Sequence, residues 1–458
     1  MRYISNSWLW IIRQVNKIGN ERIRIGLLQA LPFWIASLLA GGVAVGYAAL
    51  FSFAEDLSIS IIEHRKWMIL LLAPVCFLLA ALLVNVFAPY SRGSGIPQVM
   101  ASIELANPPQ NNKISKLLGF KIIVVKIISS VLLVFGGGAI GREGPTIQIA
   151  GSVFYLVNRW IPANWPKITK RNMIMTGAAA GLAAAFNTPL GGIVFAVEEL
   201  TKTHISYFRT ALFSAVIIAG LTAQAILGPY LYLGFPKVND LSPYIFAGVL
   251  LVSISAGLAG AYFAKVMLQL LAWRQNHLKK LSHQYLWVLG CGLSIAVIAF
   301  FIHPSILGSG NEIMNPLLFS NNKQMEWYVP LLRMLGPVIT FVSGGAGGVF
   351  APSLTAGATM GAFIADYFHM SATNANMLML AGMVGFLTGV TRTPFTAAIL
   401  VLEMTDRHSI IFYLMLAAMI ANMVALLVDK RSFYDHLKKQ YLKDVNQSEE
   451  KKDEPLQK

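Results

Sequence analysis

Gly136-Gly137-Gly138-Ala139-Ile140-Gly141-Arg142-Glu143-Gly144-Pro145-Thr146 stands between two strongly apolar stretches, residues 121–135 and 147–157. Both neighbours read as membrane helices. Glycines this dense leave backbone N–H groups uncovered and able to face a ligand. Pro145 suits the first turn of a helix, where its missing N–H costs nothing. A helix therefore starts near Glu143, with free amides and the positive end of its dipole exposed. Such a helix start at membrane depth is suited to an anion. Glu143 brings a carboxylate to the same place. The stretch thus sets two anions in competition for one cradle, and one of them can take up a proton.

Working outward, the whole chain is built for lipid. It has 458 residues, 56% of them hydrophobic and 12% charged, with a mean hydropathy of +0.61. Soluble domains carry about 25% charged residues. Apolar runs of at least ~18 residues recur between positions 28 and 428, and only helices satisfy their own backbone groups in such runs. The reading is an all-α polytopic membrane protein. The net charge of +15 does not indicate nucleic acid, because it is gathered in three places. These are the N-terminus (Arg2, Arg13, Lys17, Arg22, Arg24), the link with Arg274, Lys279 and Lys280, and the segment after Asp429 (Lys430, Arg431, Lys438, Lys439, Lys443). That is the positive-inside pattern, with both termini cytoplasmic. The link 228–243 carries one Lys and one Asp and suits the outer face. No cleavable signal is apparent ahead of the first span.

Cys76 and Cys291 each lie inside an apolar segment and read as small buried hydrophobes. The eight histidines are scattered with no ligand spacing, which argues against a metal. No cofactor motif is present.

The expected organisation is a cytoplasmic lead-in helix over 1–27 and a first membrane half over 28–228. A second half covers 243–428, a cytoplasmic helix 430–445, and a disordered tail 446–458. Three segments are too short to span: the one after Pro97, residues 190–200 and residues 394–403. Short helices broken by Gly and Pro in both halves point to a mid-membrane site and to an inverted repeat.

Three breaks share one chemistry: Gly93-Ser94-Gly95-Ile96-Pro97, Gly141-Arg142-Glu143-Gly144-Pro145 and Gly347-Gly348-Val349-Phe350-Ala351-Pro352. Each ends in Pro where a helix begins. Converging helix starts would hold an anion without a full positive charge, loosely enough for release. Ser94 adds a hydroxyl. The plainer reading is three ordinary turns, less natural for three such turns in one membrane chain. Ionisable groups in apolar segments are costly and suggest function. For Glu143 the alternative is a local ion pair with Arg142. For Glu198 and Glu199 it is an interfacial helix end. Lys126 raises the local potential or pairs with a carbonyl or carboxylate. Glu403 reads as a structural hydrogen-bond partner.

These three motifs, in this order, resemble the signatures of the CLC chloride channel and transporter family. Gly177-Ala-Ala-Ala-Gly-Leu-Ala-Ala-Ala-Phe-Asn187 and Leu400-Val-Leu-Glu-Met-Thr-Asp406 resemble it too, and the likeness covers about residues 30–440. It implies two inverted-topology halves of tilted and partly re-entrant helices, roughly 18 in all. It also implies a homodimer with one anion path per subunit, in the inner (plasma) membrane of a prokaryotic cell. Glu143 would be the gating glutamate and Glu199 the internal proton glutamate of the exchangers, with Lys126 and Glu198 in support. Ser94 and Tyr434 would line the anion site with Gly93, Gly95, Arg142, Gly144, Val349, Phe350 and Ala351. The paired cytoplasmic nucleotide-binding (CBS) modules of many eukaryotic members are not expected. The implied function is proton-coupled chloride antiport. A passive chloride channel is the alternative, against which Glu199 argues. A membrane-embedded enzyme would need a Ser–His, paired Asp or metal set within the spans, and none is visible.

Overall fold

The computed structural model describes residues 14–453 apart from 16, 18, 108–109, 163–164, 167, 202–208 and 229–230. Helices make up nearly all of it, and the described residues contain no β-strand longer than an isolated bridge.

The first half runs α1 (Glu21–His64), α2 (Ile69–Phe87), α3 (Ile96–Glu104), α4 (Ile114–Leu117), α5 (Phe120–Phe135), α6 (Glu143–Trp160), α7 (Lys170–Phe186), α8 (Pro189–Phe195) and α9 (Arg209–Leu227). The second runs α10 (Ile245–His277), α11 (Leu281–Phe301), α12 (Asn311–Phe319), α13 (Tyr328–Ser343), α14 (Phe350–Tyr367), α15 (Ala372–Thr391), α16 (Pro394–Thr405) and α17 (Ile411–Val428). Last comes α18 (Phe433–Asp453).

Among the described residues, eight helices are long and apolar enough to cross a membrane. Others are not: α3 has 9 residues and α8 has 7. At 1.5 Å per residue these reach less than half of a ~30 Å hydrocarbon core. Helices this short place at least one end away from the membrane surfaces, where its backbone groups need partners.

Two boundaries differ from the sequence reading. Helix α1 is 44 residues long and starts at Glu21, so residues 21–27 belong to the first span; residues 1–13 of the lead-in lie outside the described residues. The tail set at 446–458 is helical as far as Asp453. Its Gln, Glu and Lys residues have good helix propensity, which carries the last helix on once α18 is nucleated. Residues 454–458 lie outside the described residues.

The halves repeat each other. Helices α6 and α14 both have 18 residues and both follow a glycine-rich break. Helix α7 ends at Asn187 and α15 at Arg392, each a left-handed C-cap (φ 56° and 59°). Each is followed by Thr-Pro and a short helix, α8 or α16. Glu198 and Glu403 each stand nine residues after that proline. Small residues set the helix spacing: a Cβ on Gly357 of α14 or Gly382 of α15 would run into the other's carbonyl oxygen. Helix α15 is buried almost throughout between α10, α14 and α17.

Candidate functional site

The three glycine breaks are stitched together by backbone bonds. Gly93 N–H donates to Gly345 O (2.8 Å), and Gly347 N–H to Gly93 O (3.0 Å). Gly141 and Gly348 exchange both bonds, each 2.8 Å, as an antiparallel pair. These bonds consume the carbonyls of Gly93, Gly141 and Gly348. In a trans peptide the N–H points opposite to the carbonyl. The amides of Ser94, Arg142 and Val349 are thereby turned away from the stitches.

Side chains must be absent at two of these glycines. A Cβ at Gly144 would meet the Ser94 hydroxyl, and one at Gly141 would meet the Glu143 carboxylate. Gly95 has φ 106°, and a Cβ there would come within 2.8 Å of Gly144 O. The starts of α3, α6 and α14 therefore meet in one place.

Glu143 lies there, 1% exposed. Its Oε2 is 3.4 Å from the Ala351 amide in the first turn of α14. Its Oε1 is 3.5 Å from the Tyr232 hydroxyl. A carboxylate thus sits at another helix's positive end, where a free anion would be favoured. Arg142 does not hold it: that guanidinium donates to Ala48 O (3.0 Å) and Ser52 Oγ (2.9 Å) on α1. The local ion pair weighed for Glu143 is not formed, and the structure does not bring the Arg142 guanidinium among the anion donors.

Ser94 and Tyr434 are buried, 1% and 0% exposed, with the Ser94 hydroxyl against Gly144. The Tyr434 hydroxyl faces Ser94, yet neither oxygen meets a partner at hydrogen-bonding geometry among the described residues. Two buried, unpartnered hydroxyls facing each other fit a small anion that accepts from both. Phe350 stacks on Tyr434 (6.2 Å, 11°), and α18 packs along α3. Tyr441 is engaged elsewhere, donating to Arg92 O at 3.2 Å.

Lys126 resolves in favour of carbonyls. Its ammonium, fully buried, donates to Ser91 O (2.8 Å) and Gly93 O (2.7 Å). It braces the back of the loop that presents the Ser94 amide. Glu199 lies on a π-helical turn, Ala196–Thr201, and is 4% exposed. Its carboxylate and that of Glu143 both act electrostatically on the Tyr434 hydroxyl. Glu198, one residue earlier, turns to α16 and accepts from Phe395 N–H (3.1 Å) and Thr396 N–H (2.7 Å). Glu403 does the reverse, accepting from Leu190 N–H (3.1 Å) and Gly191 N–H (2.8 Å) of α8. The start of α8 is capped by Glu403 of α16, and the start of α16 by Glu198 on the π-helical turn that follows α8. Glu403 is thus a hydrogen-bond partner, as its sequence context suggested.

Sequence reasoning passed over Tyr232. It lies in the link between the two halves, far from any motif, and no local signal marks it. Cys76 and Cys291 are free and buried.

Helix starts meeting at membrane depth around a buried carboxylate and two unpartnered hydroxyls define an anion-handling membrane transport protein. The family model "voltage gated chloride channel" matches residues 76–426, and the chain belongs to that family. It is 29% identical to the H(+)/Cl(−) exchange transporter ClcA of Cronobacter sakazakii, over 93% of this chain and 91% of the relative. It is 27% identical to ClcA of Salmonella typhimurium, over 92% and 90%. Among solved structures it resembles a slow cyanobacterial Cl−/H+ antiporter (TM-score 0.78, 24% identity, 92% and 99% coverage). It also resembles a CLC-type fluoride/proton antiporter (TM-score 0.73, 20% identity, 91% and 98% coverage). At these identities the structural likeness speaks to the fold.

Proposed function

We propose that the protein exchanges chloride for protons, with Glu143 as the gate shared by both ions. The observation that carries this is the Glu143 carboxylate beside the Ala351 amide, at the start of α14. Ionised, Glu143 fills the cradle that an anion would use. Chloride rising from the Ser94–Tyr434 site competes for the same amides and drives the carboxylate outward. There it takes a proton and, once neutral, no longer competes. Coupling follows from mutual electrostatic exclusion. Glu199 carries the proton onward to the cytoplasm by a path apart from the anion's, and its burial near Tyr434 supports that role. The relatives named as H(+)/Cl(−) exchange transporters favour exchange over a passive channel.

The arrangement extends to the assembly. We read the protein as a homodimer with one anion path per subunit. It lies in the inner membrane with both basic ends in the cytoplasm. The mid-membrane site belongs to the two membrane halves, and α18 brings Tyr434 to it from the cytoplasmic side.

Simultaneous chloride and proton fluxes from purified protein in liposomes test this reading. Chloride movement down its gradient should drive protons uphill. Chloride flux with no proton movement would mean a channel.

A further inference from the structure

The Tyr232 hydroxyl lies between two acceptors. It donates to Asn311 Oδ1 at 3.1 Å and stands 3.5 Å from Glu143 Oε1, at the outer limit of a hydrogen bond. A phenol has one O–H and serves one acceptor well at a time. The side chain is buried and held in place. Its ring meets Phe186 edge-on at 5.0 Å. The next residue, Leu233, donates its N–H to Met404 O on α16 (3.1 Å). Arg407, just beyond α16, donates to Pro236 O (2.9 Å). Asn311 opens α12, and its own N–H reaches Ser309 Oγ at 3.4 Å. A ring fixed this way leaves the hydroxyl little freedom except the choice of acceptor.

We propose that Tyr232 is an outer latch on the gate, passing its single hydrogen bond between Asn311 and the ionised Glu143 carboxylate. With Glu143 ionised, the O–H swings to the carboxylate and holds it in the cradle. When Glu143 takes a proton or is displaced, the O–H returns to Asn311. Tyr232 is therefore a positioning residue that biases the gate toward closed, and Asn311 biases it toward open. The charges acting on the carboxylate are Arg142, at the start of its own helix, and Glu55, from α1. Tyr47 of α1 and Tyr434 of α18 lie within electrostatic reach of it, the Tyr47 hydroxyl being engaged with Ser130 Oγ at 2.8 Å. Arg333 of α13 acts on Glu55. Neither Tyr232 nor Asn311 adds charge, so the latch changes how long the ionised gate stays closed without adding a titrating group.

The proposal rests on Glu143 being the gate, and the test separates the two ideas. Chloride efflux and proton movement are measured in liposomes of the full chain across a range of external pH. Tyr232→Phe should speed efflux about three- to tenfold at high external pH, where the gate is ionised, and much less at low external pH. Asn311→Ala should act in the opposite sense, slowing efflux at high pH, because it leaves the hydroxyl only the carboxylate. In a Glu143→Gln background neither change should matter. A Tyr232→Phe rate equal to wild type, or changed alike at every pH, would overturn the latch. So would Asn311→Ala acting in the same direction, or either effect surviving Glu143→Gln. Wild-type protein that moves chloride without protons would instead strike at the exchange reading.

Discussion

Gly141 and Gly348 exchange two backbone hydrogen bonds as an antiparallel pair. They are also equivalent positions, each opening the run that leads into an 18-residue helix. An antiparallel pair has a local two-fold axis between its residues. The pseudo-symmetry of the halves therefore passes through the site itself. It brings the start of α6, with Glu143, against the start of α14, with Phe350 and Ala351. One half offers the carboxylate and the other offers the Ala351 amide for it, so a repeated fold yields a site with unlike sides.

Gly141→Ala tests that closeness. The new Cβ would overlap the Glu143 carboxylate and lie 3.1 Å from Ala351 Cβ. The carboxylate is the freer group and should be pushed out of its cradle. We expect chloride flux to lose much of its dependence on external pH while chloride still binds, read by flux in liposomes and by calorimetry. A folded variant with an unchanged pH profile would show that the carboxylate does not rest where Gly141 must leave room for it.

Lys126→Met keeps the length of the side chain and removes its donors. Ser91 O would lose the ammonium, and Gly93 O would keep only Gly347 N–H. Hydrogen bonds to a charged group contribute about 1.5–3 kcal/mol each. Part of that loss should appear as a loosened 93–94 peptide and a chloride affinity lower by about tenfold. Unchanged affinity by calorimetry in a folded variant would leave Lys126 as a brace for the fold alone.

Much of the fold is legible in the sequence alone, for physical reasons that differ from residue to residue. Glu143 and Ser94 stand in glycine–proline breaks, and such breaks in apolar runs signal helix starts at membrane depth. The repeat was visible only as pattern, because helices facing lipid accept almost any apolar side chain and their sequences drift. It shows at positions fixed by backbone chemistry: Thr188 with Thr393, Pro189 with Pro394, Glu198 with Glu403. Lys126 could not be decided, since its two carbonyl partners lie more than thirty residues earlier. Tyr232 could not be found at all: an aromatic in a short link has no spacing to betray it, and only the fold carries it to Glu143.

Glu198 and Glu403 should behave alike in stability. Each carboxylate satisfies two helix-start amides of the opposite short helix, and Thr396 Oγ1 adds a third bond to Glu198 at 2.7 Å. Replacing either by Ala leaves those donors with poorer partners, at a cost of about 1–3 kcal/mol. Thermal unfolding in detergent should fall for both variants, slightly more for Glu198→Ala. If Glu198→Ala instead leaves stability untouched and weakens proton movement, its carboxylate belongs to the proton path.

The two buried carboxylates near Tyr434 should fail alike in one transport and differ in the other. Glu143→Gln removes the charge that competes for the amide beside it and the group that carries the proton. Chloride flux should persist or become ungated, and proton flux should vanish. Glu199→Gln should also abolish proton flux, since a neutral amide cannot relay a proton to the cytoplasm. Glu143 would remain able to ionise and to fill its cradle in that variant. Its chloride flux should therefore keep the dependence on external pH that the Glu143 variant lacks. The sign follows from the gate: raising external pH ionises Glu143, closes the anion path and slows chloride, and lowering it does the reverse. Parallel flux assays on both variants read this directly. Proton flux surviving Glu199→Gln would remove Glu199 from the path, and equal pH profiles in the two variants would remove Glu143 from the gate.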